Sequence, residues 1–333
     1  MKNKTTKLIL LSLCILALFS CDKENDLEIA GSEKWTIHTL GETLMKNHVY
    51  TIAIDKDDNV WVGTSYGLDM YDGTKWTNYS SFLKNYPVAT ITVTAITIDT
   101  EGNKWIGTFG GGIAKYDDEN WEYFNHDENI SNSIASDYIR TITIDSMGQT
   151  WVGTGSNGVA MFDGINWVNY TTDDGLAGNV VNEILIDKQG NKWFGTGTGI
   201  SKFDDTTWTN YTYYNTDQLP ASGITGIAAE DSGRLWFSTQ KGLSLFDGNK
   251  WTAFTTETEW LEARSPALSV AIDNAGNKWF GSNGWGISKF DGSNWTTYKY
   301  INDERIPPVN KIAFDSKGTK WFATNSGLIE MSE

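Results

Sequence analysis

Three histidines and 42 acidic residues are the groups in this sequence with the chemistry for acid–base catalysis. His48 and His126 lie in segments between regular repeats, and adjacent acids such as Asp173 and Asp174 have the chemistry of a glycosidase. With so many acids, however, neighbouring carboxylates arise by chance. No His-x-x-x-His, Gly-x-Ser-x-Gly or phosphate-cradling loop occurs. We expect no catalytic residue, no metal site and no cofactor; the alternative is a lyase or hydrolase that uses His48 or His126.

A second group of residues has the chemistry of binding rather than catalysis. Aromatic rings and guanidinium groups around a pocket mouth stack on sugar rings or on peptide side chains. The alternative is that each ring packs within its own loop. The group lies in segments of variable length and consists of Tyr66, Phe109, Tyr213, Tyr214, Trp260, Arg264, Trp285 and Arg305.

A third group interrupts an apolar pattern at the start of several short predicted strands. Its members stand five or four residues before a recurrent acidic residue, and they are Tyr50, Arg140, Asn182, Glu183, Asn310 and Lys311. If these strands line a central channel, such groups either bind a ligand at its mouth or hold water. Both interpretations remain open at this point.

The N-terminus has the pattern of a targeting segment. Residues 1–20 hold three lysines and no acid, and the apolar run at 8–19 is too short to span a bilayer. Leu18-Phe19-Ser20-Cys21 resembles a lipobox, in which the cysteine is acylated. We predict a signal peptide over 1–20, a lipidated Cys21 with a tether over 21–30, and a folded domain over 31–333. Only the lipid would contact the membrane.

Charge and cysteine content narrow the range of partners. The formal net charge of −16 opposes binding to nucleic acid. If the signal peptide is removed with Cys14, Cys21 is the one cysteine left, so neither an internal disulfide nor a cysteine zinc site is expected. The acidic residues after Cys21 resemble signals for the outer face of the outer membrane; a periplasm-facing anchor is the alternative. We expect a monomer.

The elements that position these groups come from a repeat. The tetrapeptide Trp-(Val/Ile/Phe)-(Gly/Ser/Ala)-(Thr/Ser) occurs seven times, with spacings of 42 to 46 residues. That period is typical of a propeller blade of four strands. In each copy an acid ends the strand before the Trp strand, a Gly-aliphatic strand follows, and in six copies a fourth strand begins with a second Trp. The pattern predicts an all-β, seven-bladed β-propeller with four antiparallel strands per blade and its repeat tryptophans mostly in the core.

The chain start supplies the strand that the last repeat lacks. Gly31-Ser32-Glu33-Lys34-Trp35-Thr36 matches Gly73-Thr74-Lys75-Trp76-Thr77, so residues 31–39 are predicted to complete the last blade and close the ring. Turns of nearly constant length define one face, named the uniform face. The opposite, variable face carries the loops between blades and between second and third strands. Binding is expected there, because function concentrates in loops on a rigid scaffold.

Two recurrent patterns resemble a known family. Ile-Asp-x-x-Gly-Asn-x-Trp-x-Gly-Thr and Gly-(Leu/Ile)-x-x-(Tyr/Phe)-Asp-Gly-x-x-Trp are similar to the two-component regulator propeller repeat, in register over 31–333. The resemblance implies an extracytoplasmic sensor-like propeller, and many such sensors respond to glycans. Those sensors usually carry two propellers, an immunoglobulin-like module, a membrane span and a kinase, whereas this chain has one propeller.

Together these features indicate a non-catalytic propeller on the cell envelope that recognises a glycan or a protein through its variable face. Two alternatives stay open. The first is an enzyme that resembles the streptogramin lyases or acts on glycans, and the second is a structural envelope component.

Overall fold

The computed structural model describes residues 33–38, 48–80, 92–216, 219–255 and 266–333. In these residues, strands form seven four-stranded antiparallel sheets and one two-stranded hairpin, which confirms the predicted seven-bladed β-propeller. No helix in the described ranges is long and apolar enough to cross a membrane. The predicted signal peptide, Cys21, Trp260 and Arg264 lie outside the described residues.

Strands are numbered along the chain and fall into four sets by their place in a blade. The inner strands, from blade 1 to blade 7, are β2 (Val49–Ile54), β6 (Val93–Ile98), β10 (Ile139–Ile144), β14 (Val181–Ile186), β18 (Ile224–Ala229), β22 (Ala267–Ile272) and β28 (Val309–Phe314). The second strands are β3 (Val60–Thr64), β7 (Lys104–Thr108), β11 (Thr150–Thr154), β15 (Lys192–Thr196), β19 (Leu235–Thr239), β23 (Lys278–Ser282) and β29 (Lys320–Thr324). Each inner strand contacts the inner strands of both neighbouring blades, so the seven surround a central channel.

The outer half of each blade follows the same order. The third strands are β4 (Gly67–Tyr71), β8 (Ile113–Tyr116), β12 (Val159–Phe162), β16 (Ile200–Phe203), β20 (Gly242–Phe246), β24 (Ile287–Phe290) and β30 (Gly327–Ser332). The outer strands are β5 (Trp76–Asn78), β9 (Trp121–Phe124), β13 (Trp167–Tyr170), β17 (Trp208–Tyr211), β21 (Trp251–Phe254), β25 (Trp295–Tyr298) and, for blade 7, β1 (Lys34–His38). A short hairpin of β26 (Tyr300–Ile301) and β27 (Glu304–Arg305) stands between blades 6 and 7.

The first strand closes the ring as predicted. β1 pairs antiparallel with β30, and Trp35 lies opposite Met331. The Trp35 ring packs 5.3 Å from Tyr298 of blade 6. At the end of the same strand, the His38 ring and the Glu330 carboxylate are joined at 2.6 Å. Residues 34–38 are therefore held in one sheet with residues 328–332.

One hydrogen bond recurs in all seven blades and explains the spacing of the repeat. The indole N–H of the second-strand Trp donates to the acid six residues earlier, over 2.7 to 3.3 Å. The pairs are Trp61–Asp55, Trp105–Asp99, Trp151–Asp145, Trp193–Asp187, Trp236–Glu230, Trp279–Asp273 and Trp321–Asp315. A buried indole N–H needs an acceptor, and the acid that ends the inner strand provides it.

The burial of each repeat tryptophan depends on the strand to which it belongs. The seven second-strand tryptophans are at most 4% exposed, whereas those of the outer strands are half-buried. In blades 1 to 6 the outer ring stacks on the aromatic residue that ends the third strand, with centroids 4.4 to 5.0 Å apart. The expected core position therefore holds for the second-strand tryptophans, whereas the outer-strand tryptophans form a partly buried outer layer.

Glycine in the second strand permits the close approach of the next blade. A Cβ at Gly107 would lie 2.4 Å from Cγ2 of Ile139 in blade 3. Because real side chains do not tolerate such a distance, glycine at this position lets blades 2 and 3 pack closely.

Candidate functional site

Inner strands begin at the variable face, and each contains a shift of register between its first and third residues. The second residue, at this β-bulge, generally ties one blade to the next. Asn182 Nδ2 donates to the carbonyl of Ile224 over 2.7 Å, and Asn310 Nδ2 donates to that of Val49 over 2.8 Å. Asn182 and Asn310, predicted as channel-mouth groups, therefore both join neighbouring blades.

Tyr50 and Arg140 occupy the same bulge position but use it differently. The Tyr50 ring stacks on His48 with centroids 4.2 Å apart and planes 7° from parallel. The Arg140 guanidinium donates through Nη1 to Oδ1 of Asn182 over 2.8 Å. Because the Arg140 side chain is exposed, most of its donors face solvent.

Glu183 and Lys311, the third residues of β14 and β28, meet across the channel. Lys311 Nζ lies 2.6 Å from Glu183 Oε2, although the residues belong to blades 4 and 7, three places apart in the ring. Thr141 adds a hydrogen bond to Glu183 Oε1 over 3.3 Å. These two predicted site residues thus pair with each other and form a bridge over the channel.

A cleft lies beside this bridge, between blades 2 and 3. It has a volume of about 230 Å³, and it is lined by Phe109, Tyr138, Ile139, Arg140, Gly155 and Ser156. The side chains of Phe109 and Tyr138 are 57% and 48% exposed. Their rings meet edge to face, with centroids 5.1 Å apart and planes at 74°. The cleft therefore combines two solvent-facing rings with one guanidinium.

Backbone pairing places these side chains. Phe109 follows β7 and Tyr138 precedes β10, and an isolated antiparallel bridge joins the two residues. The N–H of Gly155 donates to the carbonyl of Tyr138 over 2.8 Å. Gly155 leaves the floor of the cleft empty, since a Cβ there would lie 3.4 Å from Tyr138 and 3.6 Å from Nε of Arg140.

Phe109 and Arg140 were predicted as site residues, and the structure brings them together. Because Val180 holds the equivalent place in blade 4 and carries no ring, the repeat gave no reason to single out Tyr138, which ends a long inter-blade segment. Its position directly before an inner strand is the signal that points to the channel mouth. Gly155 was also missed, since an absent side chain gives no pattern of its own.

Trp285 and Arg305 form a second cluster on the variable face. The guanidinium carbon of Arg305 lies 4.5 Å from the centroid of the Trp285 ring. The hairpin of β26 and β27 positions Arg305 opposite Tyr300. Trp285 is 40% exposed, so this cation–π pair stands at the surface.

The remaining predicted tyrosines stand apart from both clusters. Tyr66 is 65% exposed in the turn after β3. Tyr213 and Tyr214 contact each other at 5.7 Å in the segment after β17. Within the described ranges, none of the three forms a ring contact with Phe109, Tyr138 or Trp285.

The described arginines differ in whether an acidic side chain pairs with them. On the uniform face, Arg234 pairs with Glu230 at 2.6 Å. Arg140 and Arg305 on the variable face form no ion pair with any described residue. A guanidinium without a counter-ion in an acidic protein is suited to an anionic ligand.

The histidines have separate environments. Burial lowers the pKa of His48, and hydrogen bonds to Asn310 and Asn325 oppose that shift. The His126 ring contacts the carbonyl of Ile134 through Nδ1 over 2.8 Å. His48 and His126 share no hydrogen-bond partner among the described residues, and in that part of the chain no group of three His, Cys, Asp or Glu is placed to hold a metal ion.

Sequence comparison agrees with the resemblance predicted above. Residues 43–66 match the two component regulator propeller family. Among curated proteins no sequence matches the chain.

Solved structures with the same fold include sensors and lyases. The extracellular domain of a putative hybrid two-component system from B. thetaiotaomicron is 21% identical with a TM-score of 0.75, and the match covers 90% of this chain and 42% of that one. This chain thus spans less than half of that sensor domain. A streptogramin B lyase is 15% identical with a TM-score of 0.73, covering 90% of this chain and 97% of the lyase. Virginiamycin B lyase from Staphylococcus aureus, solved as a catalytically inactive form with quinupristin, is 18% identical with a TM-score of 0.72, covering 90% and 99%. At these identities the comparison establishes the fold alone.

Proposed function

Starting from a chain that carries a two component regulator propeller repeat in a seven-bladed ring, we propose a non-catalytic propeller that binds a glycan or a protein at the cell envelope. Binding takes place on the variable face, and the lipid on Cys21 holds the protein at the outer membrane. The cleft of Phe109, Tyr138 and Arg140 carries this proposal. The two rings pack on each other but stay about half-exposed, and Arg140 has no ion pair with a described residue, so the cleft presents groups that recognise ligands.

The paired bridge over the channel supports an off-axis site. Because Glu183 and Lys311 neutralise each other, a charged ligand gains little at the channel centre. Arg140 retains donors that no described residue uses. The cleft is therefore a better binding position than the channel itself.

Filling the cleft without removing its side chains tests the proposal. Gly155→Leu places a branched side chain against Tyr138 and Arg140, where the nearest atoms leave room for a Cβ at 3.4 Å. Gly197→Leu is the matched control, because Gly197 has the equivalent place in blade 4, with Val180 3.6 Å from a built Cβ. The full chain is screened on a glycan array and against candidate envelope proteins by surface plasmon resonance.

We expect Gly155→Leu to weaken binding of the ligand found in the screen at least tenfold, with Gly197→Leu close to the native chain. Equal affinity of both variants and the native chain would place the ligand elsewhere. Melting curves for both variants verify that each is folded.

An enzyme is the second candidate, because a streptogramin B lyase and a virginiamycin B lyase share the fold of this chain. Such an activity would use His48 or His126. Incubation of the chain with quinupristin, followed by chromatography, tests it: consumption that is lost in His126→Ala or His48→Ala would support the lyase, and no consumption would exclude this substrate.

A further inference from the structure

We infer that the cleft between blades 2 and 3 takes a sugar acid, with the sugar ring against Phe109 and Tyr138 and its carboxylate on Arg140. This inference rests on the proposed function and names the ligand class for its site. It depends on three observations: the charge state of the cleft, the exposure of its rings and the size of the space.

The charge observation concerns Arg140. Its guanidinium carries five N–H donors, and the described residues supply one acceptor, Oδ1 of Asn182 at 2.8 Å. That hydrogen bond holds the planar group at the cleft without neutralising it, since asparagine is uncharged. A carboxylate accepts two parallel hydrogen bonds from a guanidinium, so a carboxylate on the ligand meets an oriented partner.

The ring observation concerns Phe109 and Tyr138. Both rings remain about half-exposed although they contact each other, so apolar ring surface is open to the cleft. The C–H face of a sugar ring covers such a surface, while its hydroxyl groups stay in water. Ser156 lies at the same cleft; its hydroxyl donates to Asn157, and its oxygen still offers an acceptor for a sugar hydroxyl.

The size of the cleft favours one sugar unit over a larger ligand. Its volume of about 230 Å³ is below the roughly 300–1,000 Å³ of sites that enclose a drug-sized molecule. One ring with a carboxylate is therefore the part of an oligosaccharide that the cleft holds. The rest of the glycan would extend over the variable face.

The net charge of −16 opposes an anionic ligand at long range. At physiological ionic strength, however, the Debye length is about 8 Å, so distant carboxylates are largely screened. Contact with the Arg140 guanidinium is short-range and is screened much less. The local attraction therefore decides the binding, and added salt weakens it only moderately.

Matched probes test this inference. Oligosaccharides of galacturonic, glucuronic and mannuronic acid are titrated into the full chain by calorimetry, each beside its methyl ester. The ester keeps the ring and removes the charge. We expect at least one acid to bind tenfold or more tightly than its ester, and Arg140→Gln to remove this preference. Gly155→Leu should abolish binding of the same acid.

A charge-matched control is available on the uniform face. Lys188→Gln removes one positive charge at an exposed pair with Asp231 and should leave the affinity for the acid unchanged. If acid and ester bind equally, with Gly155→Leu still blocking both, the cleft binds glycans but the carboxylate inference is wrong. If no uronate binds while a neutral glycan or a peptide does, the sugar-acid class is wrong and the proposed function stands. If no ligand of any kind binds, both fall.

Discussion

Lys311 and Glu183 join opposite sides of the ring, with Nζ and Oε2 2.6 Å apart and side chains 38% and 16% exposed. An ion pair of this intermediate exposure falls between a surface pair, which contributes about 0–1 kcal/mol, and a buried pair, whose disruption costs about 3–5 kcal/mol. Since the pair links blades 4 and 7 directly, it braces the ring as well as covering the channel.

A double-mutant cycle should detect this brace. With Glu183→Gln, Lys311→Met and the double variant, we expect a coupling free energy of about 1 kcal/mol in urea unfolding. Lys188 and Asp231 form a control pair of similar length, 2.8 Å, but with side chains 59% and 103% exposed. Their cycle should give coupling near zero. Equal coupling in the two cycles would show that crossing the channel adds nothing.

Loss of one repeat acid should show the role of the indole hydrogen bond. Asp145 accepts from the fully buried Trp151 over 3.1 Å and from two backbone N–H groups of its turn. Asp145→Ala leaves the indole N–H unpaired, which costs about 1–3 kcal/mol. Asp163→Ala is the control, because Asp163 caps an exposed turn without touching a Trp. Chemical denaturation should rank Asp145→Ala well below Asp163→Ala, and equal losses would contradict this assignment.

The same acids predict how stability changes with pH. Burial raises the pKa of the Asp99 carboxyl, but hydrogen bonds from Asn103, Trp105 and the backbone outweigh it and leave the pKa below its ordinary value. The unfolded chain then takes up the proton first, so stability is fully present above the unfolded pKa of about 3.9 and is lost as pH falls through the lower folded value.

We expect the melting temperature to fall below about pH 4. Asp99→Asn should be less stable than the native chain at pH 7 and should approach it in acid, because both side chains are then neutral. A difference between the two proteins that stays constant from pH 7 down to pH 2.5 would contradict this origin of the acid sensitivity.

The fold could be predicted because the same strand pattern occurs seven times in the sequence. The match between residues around Trp35 and Trp76 predicted the closing strand, and the structure confirms it by pairing that strand with β30. Half of the cleft could be predicted. Phe109 and Arg140 differ in residue type from the repeat pattern, whereas Gly155 contributes to the cleft through the absence of a side chain, which gives no sequence signal. The bridge of Lys311 and Glu183 spans 128 residues, a contact that depends on the position of each blade in the ring.

Four buried lysines were not predicted either, because lysine is normally exposed. Lys104 and Lys192 are 4% and 2% exposed. Lys104 Nζ lies 5.1 Å from the Trp61 ring and pairs with Asp118. Lys192 Nζ lies 5.3 Å from the Trp151 ring and pairs with Asp205. Each ring belongs to the preceding blade. Lys278 and Lys320 are buried at the same strand position. The neighbouring blade covers the aliphatic part of these side chains, and an acid pairs with the charge. Both contacts depend on how the blades stack, which the sequence alone does not show.

The closing strand should be essential for the last blade. Trp35→Ala removes contacts with Tyr298 and Phe322, and truncation of a half-buried Trp should cost on the order of 2 kcal/mol. Trp167→Ala is the matched control, since Trp167 occupies the same place in blade 3, where it stacks on Phe162. Hydrogen exchange should show faster exchange along β30 in Trp35→Ala but not in Trp167→Ala. Unchanged β30 protection would mean that β1 is not needed to hold the blade.

The predicted lipid anchor is tested at Cys21, with Cys14 of the predicted signal peptide as the control. Acyl chains contribute about 0.8 kcal/mol per buried CH₂, so two or more chains hold a protein firmly to a membrane. We expect the native chain to incorporate labelled palmitate and to enter the detergent phase on Triton X-114 partition. Cys21→Ser should abolish both, whereas Cys14→Ser, within the predicted signal peptide, should change neither. Membrane association that persists in Cys21→Ser, or a native chain recovered without lipid, would show that residues 1–20 act as an ordinary export signal.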